Sequence, residues 1–86
     1  EMKKAKYRVL ILMGSDSDFP VMQQAVNLLE EFGVPCKVAV ASAHRTPERV
    51  VELVSEAEKT GAEIIIAGAG MSAHLAGVVA AHTVLP

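Results

Sequence analysis

The sequence has 86 residues, 51% of them hydrophobic, with one Tyr, two Phe and no Trp; it fits one small domain with an aliphatic core. Its formal charge of -2 and single Cys exclude a broad basic face for nucleic acid and a disulfide scaffold. The apolar run behind the N-terminal lysines, Val9 to Met13, is too short for a membrane span or a signal-peptide core. The expectation is a cytoplasmic protein without a membrane partner.

Glu1 ahead of Met2, with the lysine-rich stretch to residue 7, reads as a disordered or expression-derived arm. Val9–Met13 is continuously apolar, as a central strand covered on both faces requires. It runs into Gly14-Ser15-Asp16-Ser17-Asp18, a loop of small polar residues. Asp18 is expected to cap the next helix, whose apolar positions are Met22, Ala25, Leu29 and Phe32 and whose stop is Gly33. Cys36 to Ala41 reads as a second strand, with Cys36 as a buried hydrophobe.

Ser42-Ala43-His44-Arg45-Thr46-Pro47 follows. His titrates nearest neutral pH of all side chains, and Arg presents a planar fork of donors to a phosphate or carboxylate. Thr46 as N-cap and Pro47 at the first helical position start a helix over 47–60 that Gly61 ends. Its apolar face is Val50, Leu53, Val54 and Ala57. The same hexapeptide would also read as an ordinary solvated loop. Ile64 to Ala67 is a third buried strand, followed by Gly68-Ala69-Gly70. Residues 72–81 are apolar nearly all round and predict a buried helix, and Thr83 to Leu85 begins a fourth strand.

This β-α-β-α-β-α order predicts one α/β domain over 1–86, or the N-terminal part of one. Its architecture is a three-layer αβα open parallel sheet of the flavodoxin-like or Rossmann-like kind. All three polar junctions follow strands, so they share the carboxyl edge, where such sheets bind ligands. Ser15 and Ser17 suit a phosphate or a sugar hydroxyl. Asp18 either caps its helix or accepts from ribose, or does both, while Asp16 faces solvent. The Gly68/Gly70 pair is superficially like a dinucleotide fingerprint but lacks its third glycine. It fits better a loop that lets backbone approach a small ligand. His74 is either a second polar group of the site or a satisfied core histidine; His82 is structural or exposed. No Cys/His spacing implies a metal site. The reaction class that survives is acid–base chemistry by His44 on a small phosphorylated anion held by Arg45.

Met13 to Asp18, Ser42 to Pro47, Ala67 to Gly70 and Ala73-His74-Leu75 together resemble the N5-carboxyaminoimidazole ribonucleotide mutase family. That family is also known as the catalytic subunit of phosphoribosylaminoimidazole carboxylase. The resemblance implies transfer of a carboxyl group from the exocyclic nitrogen to a ring carbon of aminoimidazole ribonucleotide, within de novo purine biosynthesis and without a cofactor or metal. It implies His44 as general acid and base, and Ser15, Asp18, Ser42 and Arg45 as ligands of ribose and phosphate. Ser17, Gly70 and His74 would support the enclosed imidazole and carbon dioxide. Family members are homo-oligomers, usually octamers, which would account for surplus apolar surface. Met71 replaces a usual glycine and Ala76 a usual proline, and the family's domain extends beyond the length seen here. The alternatives are a carboxylase using free carbon dioxide, and a non-catalytic phosphoribosyl-binding or assembly fragment.

Overall fold

A computed structural model describes residues 7–70 and 74–86. Its elements are β1 (Val9–Met13), a single 3₁₀ turn (Asp16–Asp18), α1 (Phe19–Glu31), β2 (Cys36–Val40), α2 (Pro47–Thr60), β3 (Ile64–Gly68) and α3 (Leu75–Ala81). The three strands form one parallel sheet in the order β2-β1-β3. After β2 the chain returns across β1 to β3, so α1 lies on one face and α2 and α3 on the other. This order is the start of the flavodoxin-like arrangement, whose switch point lies between β1 and β3.

The central strand decides the layering. All five β1 residues are buried, and successive side chains leave opposite faces. Val9, Ile11 and Met13 pack with Val26 of α1. Leu10 and Leu12 pack with Val50, Leu53, Val54 and Ala57 of α2 and with Leu75 and Val79 of α3. Each fully covered aliphatic side chain contributes about 1.5–3 kcal/mol relative to exposure. A strand apolar on both sides is therefore the natural middle of three layers.

Both long helices end by the same device. At the end of α2, Gly61 N donates to Glu58 O (3.3 Å) and Ala62 N to Ala57 O (2.9 Å), with Gly61 at φ 90°. At the end of α1, Gly33 N donates to Glu30 O (3.0 Å) and Val34 N to Leu29 O (2.9 Å), with Gly33 at φ 73°. These paired bonds satisfy the last carbonyls of each helix, and the left-handed residue they need is cheapest as glycine.

Several expectations are corrected. On α1 the buried position is Val26, whereas Phe32, expected on the apolar face, is 70% exposed beyond the last turn. Cys36 is half-buried. β2 is an edge strand, so Val38 and Val40 stay exposed, and Ile64 of β3 is 44% exposed for the same reason. α3 is not buried all round: only Leu75 and Val79 are, because an Ala- and Val-rich helix on one face of a sheet covers a single stripe. Thr83–Leu85 is not a strand. Its backbone is instead drawn in by the Thr83 hydroxyl, which donates to Glu58 and accepts from Leu85 N, while Pro86 O accepts from Ile65 N of β3 at 2.9 Å. Of the expected arm over 1–7, only Tyr7 is among the described residues, and it packs against the α2-side core. Met71 and the expected helix start at Ser72 lie outside the described residues.

Candidate active site

The strands end level. Met13 pairs with Val40 on one side and Gly68 on the other, so all three junctions leave the sheet at the same height. Two further bonds, Ala41 N to Met13 O (2.9 Å) and Gly14 N to Gly68 O (3.3 Å), continue the ladder into the loops.

In the first junction Ser15 caps the 3₁₀ turn. Its Oγ accepts from Ser17 N (3.2 Å) and lies 3.0 Å from Ser17 Oγ, while its own N–H donates to Asp18 Oδ2 (3.1 Å). This reciprocal pair is a capping box built with Asp. Asp18 stands at the N-cap position of α1, but its carboxylate makes no bond to that helix. It turns back to Ser15, and its second oxygen, Oδ1, accepts from Gly70 N at 3.2 Å. Helix capping of α1 is therefore corrected to a bridge between the first and third junctions.

The second junction closes on itself. Ser42 Oγ accepts from both His44 N (3.2 Å) and Arg45 N (3.1 Å). Thr46 Oγ1 accepts from Ser42 N (3.0 Å) rather than capping α2, although Thr46 occupies the N-cap position. A hydroxyl has two acceptor sites and one proton. With both Ser42 lone pairs engaged, its O–H is left to donate, which suits an anionic ligand.

Between these two junctions lies an open pocket of ≈ 500 Å³, with Gly14, Ser15 and Asp16 on one side and Ser42, Arg45 and Arg49 on the other. Ser15, Ser42 and Arg45 thus line one pocket. Asp18, Ser17, Gly70, His44 and His74 are not among its lining residues. His44 is exposed, on the turn that Ser42 holds, and directly precedes the pocket's Arg45 in the chain. Asp16 lines the pocket while remaining exposed. Arg49, which sequence reasoning passed over, lies four residues after Arg45, and that spacing was the available signal.

In the third junction Gly70 receives the Asp18 carboxylate; a Cβ there would stand 3.3 Å from Asp18 Oδ1. His74 adopts the left-handed conformation at φ 55°, unusual for a residue other than glycine, immediately before α3. Its exposed ring lies back over Gly77, where a Cβ would come within 2.6 Å of Nε2. It is neither in the pocket nor in the core. His82 is exposed, with Nδ1 2.9 Å from Val78 O in the last turn of α3.

Comparison with known proteins adds a second line of observation. The family model described as AIR carboxylase matches residues 8–86. An N5-carboxyaminoimidazole ribonucleotide mutase of Pyrococcus horikoshii is 59% identical over 85 residues, covering 99% of this chain and 48% of that protein. One of Thermotoga maritima is 58% identical over 79 residues, covering 92% of this chain and 46% of that protein. A phosphoribosylaminoimidazole carboxylase of Ogataea methanolica is 52% identical over 82 residues, which are 95% of this chain and 15% of that protein. The chain spans about half the length of the curated mutases it matches.

Proposed function

The chain belongs to the AIR carboxylase family, and on that premise we propose that its protein is an isomerase of purine biosynthesis, an N5-carboxyaminoimidazole ribonucleotide mutase. The observation that carries this reading is the meeting of Ser15, Ser42 and Arg45 around one pocket at the carboxyl edge of the sheet. Arg45 and the free Ser42 O–H take the substrate's phosphate, aided by the N-terminus of α2. Asp18, which ties the first junction to the third, accepts from ribose hydroxyls, and Ser17 and Gly70 beside it border the base.

His44 moves the proton. As an imidazolium it protonates the exocyclic nitrogen while the N–CO₂ bond breaks, releasing carbon dioxide into the site and leaving aminoimidazole ribonucleotide. The ring carbon then attacks that carbon dioxide, and the neutral imidazole removes the proton from the same carbon, restoring aromaticity and the imidazolium. No net proton is gained or lost. The described residues belong to one α/β domain or to its N-terminal part, and the protein works in the cytoplasm as a homo-oligomer, an octamer by family resemblance.

A second reading, carboxylation of aminoimidazole ribonucleotide by free carbon dioxide, is favoured by the 52% identity to a protein named as a carboxylase. One assay on the intact natural protein separates the two. The mutase converts N5-carboxyaminoimidazole ribonucleotide in bicarbonate-depleted buffer and is slow with aminoimidazole ribonucleotide plus carbon dioxide; the reverse preference would overturn it. His44→Asn should lower kcat by at least about 10³-fold while nucleotide still binds, since general acid–base catalysis supplies about 10²–10⁴-fold and here both proton transfers use one ring. Full turnover by that variant would remove His44 from the mechanism.

A further inference from the structure

Arg45 and Arg49 stand at an unusual place for cations. The first turn of a helix carries the positive end of the backbone dipole, so basic side chains there are unfavourable for folding. Arg45 precedes the N-cap of α2 and Arg49 is the third residue of the helix; the acidic residue of that turn is Glu48. Among the described residues the ion pairs are Arg8–Glu63 and Lys37–Glu56, and neither arginine of the pocket takes part in one. Both arginines nevertheless line the same pocket, as does Ser42. Asp16 faces them from the opposite wall, and on its far side Arg49 borders a second depression with Lys37, Glu52 and Glu56. Two like charges at the wrong end of a helix, facing one cavity, make physical sense when an anion of more than one charge sits between them.

We propose that Arg49 is a second phosphate-binding cation, one that makes the pocket select a terminal phosphate monoester in its doubly charged form over a singly charged diester. The proposal rests on the nucleotide reading above. Arg45 and Ser42 engage the phosphate whatever its substitution. Arg49, reaching in from one turn further along α2, responds to the second negative charge, which a monoester carries at neutral pH and a diester lacks. Asp16, which also lines the pocket, repels a doubly charged ligand more than a singly charged one, so the preference for the monoester falls to Arg49.

The test measures binding to the intact natural protein by calorimetry at pH 7.5, with ribose 5-phosphate and its methyl phosphodiester as probes. Arg49→Gln should weaken ribose 5-phosphate about 10-fold, the effect of losing one charge-assisted contact, and weaken the diester no more than about 3-fold. Arg49→Lys should recover most of the monoester affinity. Equal losses for both probes, or no loss for either, would overturn the assignment. Because binding is read without turnover, failure of the mutase reading shows separately, as an inactive wild-type protein that still distinguishes the two probes.

Discussion

The first and second junctions do similar work by different means. Ser42 to Pro47 completes its hydrogen bonds within six residues: the Ser42 hydroxyl fastens the backbone of His44 and Arg45, and the Thr46 hydroxyl that of Ser42, before any ligand arrives. Gly14 to Asp18 is closed at one end by its own capping box but relies at the other on Gly70, 52 residues away in sequence. The turn carrying His44 is thus set locally, and the loop carrying Ser15 and Asp18 is set by tertiary structure. A shape fixed by nearest neighbours survives loosening of the sheet; one fixed across the sheet edge moves with it.

Replacing Asp18 with Ala gives the largest expected effect on this contrast. It removes the acceptor of both Ser15 N and Gly70 N, with an expected loss of about 1–2 kcal/mol of stability, since the bonds are charged but exposed. Hydrogen exchange should then speed up at the Gly70 amide and stay unchanged at His44 and Arg45. Parallel acceleration at all three would show the junctions to be one unit. Ser42→Ala comes next, at about 0.5–1 kcal/mol, with the opposite pattern: faster exchange at His44 and Arg45, none at Gly70.

The Arg8–Glu63 pair, at the amino edge of the sheet, gives the smallest effect and serves as the reference for an ordinary surface contact. Arg8 Nε and Nη2 donate to Glu63 Oε2 and Oε1, each at 3.1 Å. These bonds first, and the opposite charge second, hold the Glu63 carboxyl below its usual value. A lowered folded-state value means stabilisation that is present above the ordinary carboxylate value of 4.5 and lost as pH falls through the folded one. The melting difference between wild type and Glu63→Gln should therefore be small at pH 7, shrink with added salt and vanish on acidification. A difference that grows toward low pH would contradict the pairing.

What the sequence discloses follows the same division. β1 over Val9–Met13 and α2 over Pro47–Thr60 are legible to the residue, because an unbroken apolar run and a helix bracketed by Pro47 and Gly61 are local signals. The pocket-facing trio Ser15, Ser42 and Arg45 is legible because parallel topology sends every strand end to one edge. The Asp18–Gly70 bond is not, since no local pattern distinguishes a carboxylate that caps its own helix from one that reaches across the sheet. Arg49 escapes notice because on a helix otherwise ringed with Glu48, Glu52 and Glu56 it passes for solvated charge. α3 misleads for a different reason: Ala and Val in every direction conceal which stripe will face the sheet, and only docking against α2 and β3 chooses Leu75 and Val79.

The level ends of the three strands carry a consequence for how this chain tolerates change in length. Removing one residue from inside a strand would displace its loop by about 3.3 Å and turn its inward side chains outward. At the opposite end of the sheet, the turns Gly33–Pro35 and Gly61–Glu63 join helices to strands without touching the pocket. Deletion and insertion scanning should thus yield a polarised map, permissive along one rim and intolerant within the strands and along the other.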